Sequence, residues 1–418
     1  MLRVAYGGSR GTTVEDTMLE DIPALLPDLT ALYEDLHANP ELSFCELRTS
    51  KLLAERLEAL GYDVTCEVGT TGVVAIMENG DGPFVLLRAD IDALPVEEDT
   101  GLPYASTVRG VGLDGREQPV AHVCGHDMHA TWMIGVATLL ATHRDEWQGK
   151  VMLLLQPAEE LGAGARAMVD DGLFERFGTP DIGLGQHVAP APAGWVLHRA
   201  GPVMSASDSL RIVMHGRGAH GSAPQQSVDP VVMAASTVMR LQTIVSREVA
   251  ATETAVVTVG TLHAGTKENI ISDHATMTLS IRTFDPPVRD RVLGAVTRIV
   301  EGEAAAAGSP KPPEISPTGS FPMLTNDADA TERVAAAFTE VLGSDRVIEG
   351  PLVPASEDFG IFGERGGFPS VFWFVGGADH ETFFTALAAG RVNEDTPPTT
   401  RPTTRPSSTR PSPPASRR

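Results

Sequence analysis

"HDMHATWMIGVATLLATHRDEWQGKVMLLLQPAEE", residues 126–160, is the stretch whose reading decides the fold. As far as His143 it is apolar at helical intervals, which predicts a helix. From Gly149 an almost unbroken apolar run leads into Gln156, Pro157 and two glutamates. So short and apolar a run suits a strand buried on both faces. Upstream, "FVLLRAD" (84–90) is a second such run. A helix between two buried strands is a β–α–β unit, so the chain reads as an α/β protein with a largely parallel sheet. Working outward, "TSKLLAERLEALGY" (49–62) places Leu52, Leu53, Leu57 and Leu60 on one helix side, with Gly61 as a stop. "DATERVAAAFTEVLG" (329–343) and "PSVFWFVGG" (369–377) add a helix and a strand.

The texture changes near residue 202. "DSLRIVMHG" (208–216) alternates, with Leu210, Ile212 and Met214 on one face. "DPVVMAASTVMRLQTIVSREV" (229–249) reads as a helix, and "TAVVTVGTL" (254–262) as a strand. In "HATMTLSIRTF" (274–284), Ala275, Met277, Leu279 and Ile281 alternate with polar residues, a half-buried strand. "PPVRDRVLGAVTRIVEGEAAAAG" (286–308) is a helix opened by prolines and closed by Gly308. This β-α-β-β-α order predicts a small inserted α+β, ferredoxin-like domain over 202–312. The first domain then covers 21–201 and 313–396, with the Pro-rich "SPKPPEISPTG" (309–319) leading back to it. Residues 1–20 read as an N-terminal extension and 397–418 as a disordered tail.

A formal net charge of −23, with five arginines confined to the stretch after Asp395, leaves an acidic body that repels a phosphate backbone. Nucleic acid is therefore not an expected partner. Nothing approaches the roughly 18 consecutive apolar residues of a membrane span. The opening residues lack the basic head and apolar core of a signal peptide, so the expected compartment is the cytoplasm. Three cysteines, Cys45, Cys66 and Cys124, are too few and odd in number for a disulfide framework.

The densest chemistry lies in "AHVCGHDMHA" (121–130), where Cys124, His126, Asp127 and His129 fall within six residues at a helix start. A thiolate and an imidazole two residues apart can reach one divalent ion from a tight turn, which Gly125 permits. The alternatives are a buried free cysteine beside capping polar residues, or a nucleophilic Cys–His pair. Glu159 and Glu160 follow a strand directly. Adjacent carboxylates point in different directions, so one can bind a metal while the other takes a proton from water. The alternative is a solvated acidic loop. His187 in "DIGLGQHVAP" (181–190) follows another short apolar run. Asp90 and Asp92 close a strand, and Asp92 could steady an imidazole or a metal, or cap the turn before Pro95. In the inserted domain, three glycines surround His220 in "GRGAHGSAP" (216–224), and Asn269 and Arg282 follow. A guanidinium can fork onto a carboxylate.

Taken together, "HANPELSF" with Glu46, "RADIDALP", "HVCGHDMHA", "QPAEE", "GQH", "GRGAHGSAP", "NIISDHATMTLSIRTFD" and "SEDFG" resemble the M20 metallopeptidase superfamily, in particular its amidohydrolase subfamily of hippurate, N-acyl-amino-acid and indole-acetyl-amino-acid hydrolases. The resemblance implies a catalytic α/β domain interrupted by a lid domain that mediates homodimerisation. It implies two divalent ions, Mn²⁺ foremost, with Zn²⁺, Co²⁺ or Ni²⁺ as other occupants. Carried over by position, Cys124 bridges the ions, His126, Glu160 and His187 are further ligands, and Glu159 is the general base. Asp92 orients the site. His220, Asn269 and Arg282 meet the substrate, an N-acyl or N-aroyl amino acid; a dipeptidase or carboxypeptidase is the alternative within the superfamily.

The resemblance also implies one more ligand, a histidine in an Asn-His-Ser-Pro stretch after a segment like "GRVNEDTP" (390–397). Here that segment is followed by "PTTRPTTRPSSTRPSPPASRR" (398–418), and the last histidine is His380. Thr, Pro, Arg and Ser can be encoded with the first two bases fixed and the third free. Read from the third base of the Pro398 codon, the fixed bases permit Asn-His-Ser-Pro-Tyr-Tyr-Ala-Pro-Val-Ile-Asp-Pro-Thr-Leu and, two residues on, Gly. The tract thus reads as a frame-shifted copy of the ending that completes the site. As written, one ion lacks a ligand, which makes a catalytically impaired relative a further alternative.

Overall fold

The computed structural model describes residues 17–392. They fall into two units, a larger one of residues up to 199, 327–350 and 362 onward, and a smaller one of 200–326 and 351–361. Apart from a short helix over Thr17–Glu20, the N-terminal extension lies outside the described residues, as does the tail.

Along the chain run strands β1 (Asp63–Val68), β2 (Gly72–Asn79), β3 (Phe84–Asp90), β4 (Gly149–Gln156), β5 (Ile182–Pro192), β6 (Val196–His198), β7 (Ala206–His215), β8 (Ala255–Ala264), β9 (His274–Thr283), β10 (Glu314–Phe321), β11 (Val347–Glu349) and β12 (Ser370–Ala378). The main helices are α1 (Ile22–Ala38), α2 (Leu47–Ala59), α3 (His126–Thr142), α4 (Pro230–Arg247), α5 (Pro286–Ala306), α6 (Ala328–Leu342) and α7 (His380–Ala388).

The larger unit is built on an eight-stranded sheet in the order β1-β2-β4-β3-β5-β12-β6-β11. Its centre, β4-β3-β5-β12, is parallel, as the β–α–β reading expects. The flanks differ: β1 pairs antiparallel with β2, β2 with β4, and β12 with β6. Only three residues join β1 to β2, far fewer than a crossover needs, so that pair must be a hairpin. Leu36, Leu53, Leu57, Ile134, Leu153, Leu155, Leu184 and Trp373 form the core under this sheet. The apolar run of β4 is buried throughout because it is a central strand covered on both faces. Among the described residues no helix is long and apolar enough to cross a membrane.

The smaller unit is a four-stranded antiparallel sheet in the order β8-β9-β7-β10, with α4 and α5 packed on one face. Its buried stripe contains Ile212 and Met214 of β7 and Met277, Leu279 and Ile281 of β9, facing Leu241, Val292 and Val296 of the helices. Asp229 and Asp285 cap these helices by accepting backbone N–H bonds, each just before a proline that fixes the first turn. The boundary drawn at 312 moves. Pro-rich 309–313 is followed by β10, which pairs with β7 over Ser207–Val213 and completes β-α-β-β-α-β. Residues 313–326 therefore belong with the smaller unit, as does 351–361. Pro317 is tolerated in β10 because it is an edge strand.

Candidate metal centre

Three parallel neighbours, β4, β3 and β5, bring their carboxyl ends to one edge, where α/β sheets place their sites. Asp90 ends β3 and Asp92 lies two residues on; Glu159 and Glu160 form a single 3-10 turn beyond β4. His187 is inside β5 rather than at its end. The β3 pairing stops at Gly185, so β5 runs on past its neighbour and carries His187 out over the edge. Gly125, with φ 86°, makes the left-handed turn between Cys124 and the first residue of α3, His126.

These residues converge. The Cys124 Sγ lies 3.3 Å from His187 Nε2. His126 Nε2 is 3.9 Å from Glu159 Oε2 and 3.9 Å from Glu160 Oε1. Both imidazoles are oriented by their other nitrogen. His126 Nδ1 donates to the Asp92 carbonyl at 2.9 Å, with Asp92 Oδ1 at 3.2 Å, and His187 Nδ1 donates to the Val188 carbonyl at 2.6 Å. Each therefore aims its Nε2 into the cluster. His126 Nε2 and Glu160 Oε1 are buried and have no hydrogen-bond partner in the protein. Unpaired buried polar atoms are costly, and two atoms each about 2.0–2.2 Å from one cation stand no more than roughly 4.4 Å apart. The pair fits a shared divalent ion, and thiol, imidazole and carboxylate are the donors such ions take.

Asp92 ties the parts together. Its Oδ2 accepts from Ser43 Oγ at 2.7 Å and from the Glu160 backbone N–H at 3.1 Å, while its other oxygen faces His126. It thus steadies an imidazole and a glutamate backbone. Asp90 receives Arg88 Nη1 at 2.8 Å and His129 Nδ1 at 2.5 Å, and its Oδ2 also lies 3.4 Å from His126 Nε2. His129 Nε2 in turn accepts the Val188 N–H at 2.8 Å, so both its nitrogens are engaged and it steadies the strand beside His187. Burial, with His129 and His126 close by, drives His187 down to about 3, so it is neutral and lone-pair bearing. Burial pushes Glu160 up to about 7, where Asp92 adds to the effect and His126 opposes it. Burial raises the Cys124 thiol well above its usual range. A bound cation reverses this and deprotonates a coordinating thiol.

Several partners were hidden from the sequence. The one available signal for the Arg88–Asp90–His129 group was an arginine inside an apolar strand; Arg88 is 1% exposed. His37 donates to Asp127 at 2.6 Å and to Glu98 at 3.1 Å, fastening the start of α3 to the loop before it. Nothing in local spacing pointed to that.

Within the smaller unit, His220 and Asn269 come together. The Ala219–His220 pair hydrogen-bonds to Ile270–Ile271, and the Gly221 N–H donates to the Asn269 carbonyl at 2.8 Å. A Cβ on Gly216 would stand 2.4 Å from the Val228 carbonyl, so that position of the loop takes only glycine. His220 Nδ1 accepts the Ser222 N–H at 3.1 Å, leaving Nε2 outward on an exposed ring. Arg282 Nη1 donates to the Pro354 carbonyl at 2.8 Å and to Ser356 Oγ at 3.0 Å, tying β9 to the 351–361 segment.

The profile of peptidase family M20/M25/M40 matches residues 86–396, most of the chain and every strand-edge residue above. The chain belongs to peptidase family M20/M25/M40. Within the family it is 37% identical over 351 residues to the hippurate hydrolase of Campylobacter jejuni, covering 83% of this chain and 88% of that one. It is 34% identical over 366 residues to thermostable carboxypeptidase 2 of Saccharolobus solfataricus, covering 86% and 88%. Among solved structures, the YXEP protein of Bacillus subtilis, described as a dinuclear metal binding peptidase of the M20 family, superposes with a TM-score of 0.69 at 31% identity, covering 90% of this chain and 97% of that one. The family match ends where the Thr/Arg/Pro tract begins. His380 is exposed at the start of α7, and its Nε2 donates to the Ala193 carbonyl at 2.8 Å. It is not among the clustered donors.

Proposed function

We propose that the chain is a metal-dependent amidohydrolase that cleaves N-acyl or N-aroyl amino acids to a carboxylic acid and an amino acid. The observation that carries the proposal is the buried donor cluster at the sheet edge, where His126 Nε2 and Glu160 Oε1 stand 3.9 Å apart and neither is hydrogen-bonded within the protein. The hippurate hydrolase similarity favours this substrate class. Cys124, His126, Glu160 and His187 would hold two divalent ions, Mn²⁺ foremost. When bound, the ions polarise the scissile carbonyl and make water a competent nucleophile near neutral pH. Glu159 takes the proton from that water and returns it to the leaving nitrogen. Asp92 keeps His126 and the Glu160 backbone in place.

His220 and Asn269, joined by their short ladder, would bind the substrate's scissile carbonyl, and one oxyanion donor is typically worth about 3–4 kcal/mol. Arg282 would take the substrate carboxylate with the part of its fork that Nη1 does not use. A homodimer through the smaller unit fits its edge strand β8 and the exposed Val232 and Met239 of α4, which are 66% and 71% accessible. A cytoplasmic setting fits three free cysteines.

The carboxypeptidase similarity favours a second reading, a carboxypeptidase or dipeptidase with the same centre. The absence of a histidine after His380 favours a third, an impaired relative. A panel of hippurate-like compounds and dipeptides, assayed with Mn²⁺ and with metal content measured, separates them. Preferential hydrolysis of hippurate-like compounds supports the proposal; preferential dipeptide cleavage supports the second reading. An incompletely filled site without turnover supports the third.

A further inference from the structure

Glu46 is fully buried at the start of α2 and 112 residues from Ala158 in sequence, yet its Oε1 accepts the Ala158 N–H at 2.9 Å. The same oxygen accepts the Phe44 N–H at 2.9 Å, and Oε2 accepts Thr71 Oγ1 at 2.5 Å. Both backbone positions it grips are left-handed without being glycine: Phe44 has φ 59° and Ala158 has φ 49°. Such a conformation is strained for a residue with a Cβ and persists only where its surroundings over-determine it. Ala158 is held from both sides. Its N–H goes to Glu46, and its carbonyl accepts from Ala163 at 3.3 Å and Gly164 at 3.1 Å. The turn is wound so tightly that a Cβ on Gly164 would lie 1.5 Å from the Pro157 carbonyl. Directly after Ala158 come Glu159 and Glu160.

We infer that Glu46 is a positioning residue, whose carboxylate holds Ala158 in its left-handed turn and thereby sets the directions in which Glu159 and Glu160 project. The inference rests on the roles proposed above for those two glutamates. A glycine at 158 would make this turn freely but would allow others; alanine with a carboxylate clamp leaves one conformation. What matters on this account is the reach of the side chain rather than its charge.

The test compares Glu46→Gln, which keeps the reach and one acceptor oxygen, with Glu46→Asp, which keeps the charge but falls short of Ala158. In the full-length protein, Glu46→Asp should lower kcat on hippurate about 10–100-fold with little change in KM, and weaken Mn²⁺ binding in chelator competition. Amide exchange of 158–164 should speed up. Glu46→Gln should stay within about threefold of the parent, and Ala158→Gly added to Glu46→Asp should recover most of the lost kcat. Equal damage from Gln and Asp, an unaffected Asp variant, or no rescue by Ala158→Gly overturns the inference. Amide exchange reads the turn without metal or turnover. A parent protein that fails to hydrolyse hippurate therefore refutes the substrate reading, while the exchange comparison still decides the role of Glu46.

Discussion

Asp92→Asn is isosteric and asks what the negative charge at the hub of the site contributes. Asp92 accepts from Ser43 Oγ, the Glu160 N–H and His126 Nδ1. An amide has one acceptor oxygen. The Glu160 N–H is a fixed donor, so the oxygen stays on that side, while the Ser43 hydroxyl can turn. The new NH₂ then faces the protonated Nδ1 of His126, donor against donor, at the present 3.2 Å. The ring keeps its bond to the Asp92 carbonyl at 2.9 Å but loses the charge that supports its Nε2 lone pair. Loss of such a supporting partner typically costs about 10–100-fold in metal affinity, or roughly 1.4–2.8 kcal/mol. Chelator competition with Mn²⁺ measures this directly, and calorimetry of the metal-free protein should show a much smaller change. Unaltered metal affinity in a folded Asp92→Asn protein would refute the hub role; a loss matched by equal global destabilisation would refute it too.

Removal of metal by a strong chelator should abolish hydrolysis and Mn²⁺ should restore it; turnover that ignores chelators would instead favour Cys124 as nucleophile, paired with His187 at 3.3 Å. Burial opposes charge on His37, but hydrogen bonds and charges from Asp127 and Glu98 outweigh it and raise the imidazole to about 9, with Tyr33 and Tyr104 packed alongside. A raised folded-state value stabilises fully below the unfolded value of about 6.5, and that contribution is lost as pH rises through about 9. The stability gap between the parent and His37→Gln, followed by denaturant unfolding, should therefore be widest below about pH 6.5 and close toward alkaline pH. Resequencing the gene across the Pro397–Pro398 codons should show that the shifted frame encodes Asn-His-Ser-Pro. A protein carrying that ending should bind the second Mn²⁺ more than about 10-fold tighter than the chain as written, since a lost ligand outweighs a lost supporting partner.

The parallel sheet centre was legible because β3 and β4 are apolar on both faces, and the β9 pattern of Ala275, Met277, Leu279 and Ile281 gave its buried side residue by residue. The antiparallel flanks were not, since strand direction depends on connection length and not on composition. The 312 boundary was missed because Pro317 within Glu314–Phe321 masks an edge strand. At the candidate site, Cys124, His126, Glu159 and Glu160 could be picked out from local density, because each motif is short and sits at an element's end. Glu46, His129 and His37 could not be assigned, because each acts on a partner dozens of residues away, and only folding brings Glu46 to Ala158 or His37 to Glu98.

In the proposed reaction a metal-loaded cluster hydrolyses N-acyl amino acids with Glu159 moving the proton. Glu159→Gln preserves shape and removes the base. Its rate on hippurate, measured beside its Mn²⁺ content, is the most direct test. Metal content should equal the parent's and turnover should fall at least about 100-fold, the lower range for a lost acid–base group. Hydrolysis by metal-loaded Glu159→Gln at a near-parental rate would contradict it.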